Sequence, residues 1–191
     1  MHRDIRAFRD DPGRDEIGRV ETTSALVHLR RPSKLSTQTP EDTQPFCDPR
    51  GRFVFGHNGD FRETRRQRAI YRREGRIHGR ADTEVGQRWL EDEWRDGAQV
   101  GDRLERLHRA FGGSANLALL TPDGTPTIYA GNAENLVFAF GLGRIGLAST
   151  AIYSIDRSLF RLVAPGANRR RLVRPGTTMT LMPDGNPLPA S

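Results

Sequence analysis

Arg52-Phe53-Val54-Phe55-Gly56-His57-Asn58-Gly59 is the most informative stretch of this chain. Phe53, Val54 and Phe55 are aromatic or β-branched, so 52–56 reads as a strand. Asn58-Gly59 reads as a turn that breaks it, since both residues tolerate a positive φ. Just upstream, Ser24-Ala25-Leu26-Val27-His28-Leu29 is a short apolar run that ends in turn-forming residues, and it reads as a buried strand. Between the two, residues 30–50 carry four prolines and several Ser and Thr. They read as a long loop, and a loop of that length in a compact domain is functional or disordered.

Downstream the hydrophobic period changes from two to about 3.6. Residues 61–73 are one predicted helix. A second opens at Asp82, read as its N-cap, with Val85, Trp89 and Leu90 on the apolar side. A third, from Val100 to Phe111, carries Leu104, Leu107 and Phe111 at helical spacing and closes at Gly112-Gly113. The period then returns to two. Residues 115–120, 127–130, 136–140 and 145–149 read as successive strands, with Pro122-Asp123-Gly124 and Gly141-Leu142-Gly143 as hairpin turns. A short helix is expected over 151–163 and a late strand over 177–181. Strands, then helices, then strands predict an α+β fold with helices covering sheets, not alternating βαβ units.

The chain has 191 residues, which suits a single domain over 1–191 with a poorly patterned start (1–21) and a tail (182–191). Its formal charge is +6, and Lys34 is the one lysine. The arginines read as scattered among acids, as in Arg88-Trp89-Leu90-Glu91-Asp92-Glu93, so nucleic acid is not an expected partner. With Cys47 as the single cysteine, an intrachain disulfide is impossible. No apolar run approaches the roughly 20 residues of a membrane span, and Met1-His2-Arg3-Asp4 does not start a signal peptide. A cytoplasmic location is the default expectation.

Four short motifs follow one another in order: His28-Leu29-Arg30-Arg31-Pro32-Ser33, Gln44-Pro45-Phe46, His57-Asn58-Gly59 and Asp82-Thr83-Glu84. Further on, the stretch from Gly131-Asn132 to Ala148-Ser149 reads as paired late strands. Together they resemble the class II glutamine amidotransferase (glutaminase) domain of the N-terminal-nucleophile hydrolases, over most of the chain from residue 24 to 181. The resemblance implies a four-layer αββα sandwich, here with its first sheet incomplete. It implies hydrolysis of the amide of glutamine, or of a related γ-glutamyl compound, through a cysteine thioester, and it implies no cofactor.

Such acyl transfer needs a nucleophile, a base, an oxyanion hole and a clamp on the amino-acid end of the substrate. By the resemblance, the Asn58 side chain and the Gly59 N–H form the oxyanion hole. Arg30 takes the α-carboxylate, because a guanidinium fork matches it bidentately. Asp82 takes the α-ammonium. Ser33 and His57 complete the substrate-binding set, His57 from just beneath the site. No zinc site is expected, since His28 and His57 lack further ligands at suitable spacing. Cys47 follows Gln44-Pro45-Phe46, away from the family's nucleophile position, and reads as an incidental thiol.

The sequence departs from the family at its start. The family's nucleophile is an N-terminal cysteine, whereas this chain opens Met1-His2. Asp42 also stands where asparagine is common in the family. The expectation is a domain that is truncated or non-catalytic as it stands, the alternative function being an amino-acid-binding or regulatory module.

Overall fold

A computed structural model describes residues 1–29, 39–142, 145–150 and 168–181. Strands β1 (Phe46–Cys47), β2 (Val54–Phe61), β3 (Gly113–Leu120), β4 (Pro126–Gly131) and β8 (Thr178–Thr180) form one antiparallel sheet in the order β1-β2-β3-β4-β8. Strands β5 (Phe138–Leu142), β6 (Ile145–Ser149) and β7 (Asn168–Leu172) form a second, in the order β6-β5-β7. Before β1 come a short helix α1 (Arg14–Ile17) and single turns of 3-10 helix at Phe8–Asp10 and Pro40–Asp42. Helices α2 (Arg65–Arg73), α3 (Asp82–Glu93) and α4 (Val100–Phe111) lie between β2 and β3 in the chain.

Strand alternation sorts the side chains into two cores. On one face of the larger sheet, Phe55, Leu117, Leu119 and Tyr129 pack with Val85, Leu90, Leu104 and Leu107 of the helices. On the other face, Ile128, Ala130 and Met179 pack with Val137, Ala139 and Val173 of the smaller sheet and its flanks. The described residues thus build an α+β stack of helices, sheet and sheet. The short helix expected over 151–163 lies outside the described residues.

Several elements differ from the sequence reading. Strand β2 runs unbroken through Asn58 and Gly59, which pair with Asn116 and Ala115 of β3. Gly59 satisfies its positive φ of 125° inside the ladder, not in a turn. A Cβ there would run into the Ser114 carbonyl oxygen, so glycine is what lets β2 and β3 approach. Residues 24–29 do not form a strand. They join no ladder among the described residues, and Val27 and Leu29 are exposed while Ser24 and Leu26 are half-buried. Their period-two alternation is real, but an apolar run becomes a strand only where another strand accepts its hydrogen bonds. Asp82 is the first residue of α3, and the N-cap position belongs to Ala81. Strand β7 was not anticipated, because Asn168-Arg169-Arg170-Arg171-Leu172 carries no strand-like hydrophobic pattern.

The positive charge is also less scattered than the sequence suggested. Residues 62–80 hold eight arginines against two glutamates, so this segment alone accounts for the chain's +6. Arg65, Arg66, Arg72 and Arg73 of α2 are exposed, and spacings of one and seven residues put them on one helix face. Four arginines neutralise about four phosphates. Any oligonucleotide affinity should therefore fall by about two orders of magnitude between 50 and 200 mM salt. A fluorescence-anisotropy titration checks this, and sub-micromolar affinity at physiological salt would contradict it. None of the described helices is long and apolar enough to cross a membrane.

Candidate functional site

The third quarter of β2 has a partner on one side only. Strand β1 covers β2 at Val54 and Phe55 and stops there. Beyond it, the edge N–H groups of β2 are met by side chains. The His57 N–H donates to Gln44 Oε1 (2.6 Å), and the Phe61 N–H donates to Asp82 Oδ2 (2.7 Å). Alternation along the strand points the Gly59 N–H to this same edge, midway between two that are occupied. Gly59 is exposed, and Asn58 beside it is half-buried.

Asp82 reaches this edge because the start of α3 is tied down by carboxylates. The main-chain N–H groups of Arg80 and Ala81 both donate to Asp42 Oδ1, and those of His78 and Gly79 donate to Glu84 (3.0 and 2.9 Å). Negative charge at a helix N-terminus also meets the positive end of its dipole. The departure at Asp42 therefore has a structural role: its carboxylate holds the approach to α3. Asp82 Oδ1 accepts the Thr83 N–H (2.9 Å), and its side chain stays 24% exposed. A carboxylate offers about four lone-pair directions, so Asp82 can accept further donors. Arg68 of α2 sits in the field of Asp82, Glu84 and Asp42. Its Nη1 is buried without a hydrogen bond among the described residues.

His57 lies on the helix side of the sheet, 4% exposed, stacked on Phe61 with ring centroids 4.7 Å apart. Its Nδ1 shares a hydrogen bond with Thr83 Oγ1 (2.7 Å), and its Nε2 stands 3.7 Å from Asp82 Oδ2. Burial pulls the imidazole below its ordinary range, against the opposing pull of Asp82. The histidine is thus held neutral under the carboxylate.

A sign follows for stability. In the unfolded chain this histidine titrates near about 6.5, higher than in the fold, so below that pH the unfolded state binds more protons. Stability from His57 is fully present above that value and is lost as pH falls towards the folded pKa. The slope is at most about 1.4 kcal/mol per pH unit. Urea midpoints measured between pH 7.5 and 5.5 should fall, and more steeply than in His57→Gln.

On the opposite face of β2, Asn58 joins a group of asparagines. Asn135 Nδ2 donates to Asn58 Oδ1 (2.8 Å). Asn116, directly across from Asn58 in β3, donates through Nδ2 to the Asn135 carbonyl (2.6 Å) and accepts the Asn132 N–H at Oδ1 (3.1 Å). Asn132 Oδ1 accepts the N–H groups of Glu134 and Asn135 (2.9 and 3.1 Å). Of the residues singled out in sequence, Gly59 and Asp82 lie along this edge of β2, His57 on its helix side and Asn58 on its opposite face. Arg30 and Ser33 lie outside the described residues. Gln44, Asn116 and Asn135 were missed as site neighbours. Gln44 stands within the Gln-Pro-Phe motif, whereas no local pattern marks the two asparagines.

No family model matches this chain, and no curated protein is similar to it in sequence. Solved structures are similar in fold. A glutamine phosphoribosylpyrophosphate amidotransferase from B. subtilis, complexed with ADP and GMP, superposes with a TM-score of 0.60 at 16% identity over 81% of this chain. The chain shares its fold with about a third of that structure, which it covers to 32%. A second structure, described as the allosteric regulatory enzyme of purine biosynthesis, matches with a TM-score of 0.58 at 17% identity over 74% of this chain. The chain spans 32% and 29% of the lengths of these two structures. Of the four motifs that carried the resemblance in sequence, the second, third and fourth meet at one sheet edge, and the first lies from Arg30 onward outside the described residues.

Proposed function

We propose that this chain builds the binding half of a glutamine site of the class II amidotransferase type, for glutamine or a related γ-glutamyl compound. Asp82 takes the α-ammonium, Arg30 with Ser33 takes the α-carboxylate, and the γ-carbonyl oxygen lies against the Gly59 N–H and the Asn58 amide. His57 acts from below, as a neutral support for Asp82. The observation that carries this reading is the edge of β2, where Gln44 and Asp82 occupy the N–H groups on either side of Gly59. Gly59 and Phe61 nitrogens on one strand edge are about 7 Å apart. An extended glutamine, hydrogen-bonded at its ammonium and at its γ-carbonyl, bridges such a gap.

In hydrolysis by this fold a thiolate attacks the γ-carbonyl carbon, ammonia leaves with a proton, and water then splits the thioester to glutamate. The residues assigned here would hold the substrate and stabilise the oxyanion. One observation favours the second reading, an amino-acid-binding module without turnover. The single thiol, Cys47, pairs with Val54, four residues along β2 from Asn58 and so about 13 Å away.

Calorimetric titration with L-glutamine tests the proposal. Saturable binding is expected, weakened about 10- to 100-fold by Asp82→Asn or by Arg30→Met, the usual worth of a hydrogen bond to a charged group. Binding that ignores both substitutions, or no binding of any α-amino acid, would refute it.

A further inference from the structure

We infer that Asn135 is a positioning residue that sets which end of the Asn58 amide faces the ligand. The inference rests on the glutamine-site reading above and adds a determinant to it. An asparagine amide can present either its oxygen or its NH2 group, and only the NH2 group can stabilise an oxyanion. Asn135 Nδ2 donates to Asn58 Oδ1, so the carbonyl end of Asn58 is occupied. Its Nδ2 has no hydrogen-bond partner among the described residues, and it is not a buried atom. The donor end is therefore the one left for a ligand.

The main chain of Asn135 is itself held from both sides. Its carbonyl accepts Asn116 Nδ2, and its N–H donates to Asn132 Oδ1. Asn116 cannot rotate its amide, because its Oδ1 must accept the Asn132 N–H. A chain of three asparagines thus fixes the loop that presents Asn135 to Asn58. Held there, the Asn135 side chain donates to the oxygen of Asn58 and leaves its NH2 group to the ligand.

The test is Asn135→Asp, which can no longer donate. Asn58 must then rotate to give its NH2 group to the new carboxylate, and its oxygen turns to the site. Three probes are titrated against wild-type and variant protein. L-glutamate γ-methyl ester has a γ-carbonyl that only accepts. L-glutamine can turn its own amide to compensate. L-2-aminobutyrate lacks the γ-carbonyl. The variant should bind the ester about tenfold more weakly, glutamine with a smaller loss, and aminobutyrate unchanged.

An equal loss for all three probes would make Asn135 a loop support only and overturn the inference. An unchanged ester affinity, in a protein that still prefers the ester to aminobutyrate, would overturn it while leaving the glutamine site standing. A wild-type protein that binds ester and aminobutyrate alike has no γ-carbonyl site, and both readings then fail. If Asn135→Asp does not fold, Asn135→Ala releases Asn58 without imposing the flip. It should reduce ester affinity by less than tenfold and still spare aminobutyrate; loss of both equally, or of neither, would count against the role.

Discussion

The polypeptide Met1–Ser191, incubated with L-glutamine, should release no ammonia above the buffer rate, and Cys47→Ala should change nothing. Amide hydrolysis on this fold depends on a nucleophile next to the oxyanion donors, and catalytic groups that act as a unit do not contribute separately. Removing the nucleophile from such a unit elsewhere leaves about 10³–10⁴-fold over water, from binding and the oxyanion hole together. Measured against an uncatalysed amide, that residual is too small to register in a coupled ammonia assay. Within the sequence the only thiol is Cys47. It lies on β1, its Sγ near Met1 Sδ, well up the sheet from Asn58 and Gly59. Ammonia release at a steady enzymatic rate, abolished by Cys47→Ala, would show that the thiol reaches a carbonyl after all and would move the site along β2. The binding predictions above are independent of this one, because they need only the residues that hold the substrate.

Gly59→Ala should cost about 3 kcal/mol or more of folding stability. Two penalties add. A φ of 125° is a conformation that L-residues rarely adopt, worth about 1–3 kcal/mol. The new Cβ would also overlap the Ser114 carbonyl oxygen, a backbone atom of the adjoining strand that cannot rotate away. Relief requires β2 and β3 to part at the centre of the larger sheet. Denaturant unfolding followed by circular dichroism gives the value. A loss below about 1 kcal/mol would mean that the strand relaxes easily, and that Gly59 is not held in the geometry that aims its N–H at the sheet edge. Gly86 offers a comparison: a Cβ there would come within 2.8 Å of the Phe61 ring, a side chain that can shift. Gly86→Ala should be the milder of the two.

The misreadings share a cause. The strand 24–29 and the turn at Asn58-Gly59 were both read from local preference, and in both the outcome was set by whether a partner strand was present. Residues 24–29 have the right alternation and no ladder, whereas 54–61 contain a turn dipeptide and are locked into eight register pairs with β3. In the same way Asp82 has the composition of an N-cap, but its Oδ2 is drawn off to the Phe61 N–H, twenty-one residues back in the chain. The helices were read better. The segment Val100–Phe111 matched residue for residue, because an amphipathic stripe of Leu104, Leu107 and Phe111 with glycines after it is complete within twelve residues.

By itself the sequence determined the order of elements from β2 to β6, the faces of α3 and α4, and the residue types an amino-acid site needs, since these depend on spacings within a single turn, strand or motif. Only the tertiary structure decided that β2 stays extended through Asn58 and Gly59, that Gln44 and Asp82 occupy the N–H groups flanking Gly59, and that Asn135 takes the oxygen of Asn58 from seventy-seven residues away. The physical reason is that a side chain's local preferences are written in its neighbours along the chain. The use of an unpaired strand edge, or of one end of an amide, is settled by whichever distant group arrives there with the matching hydrogen bond.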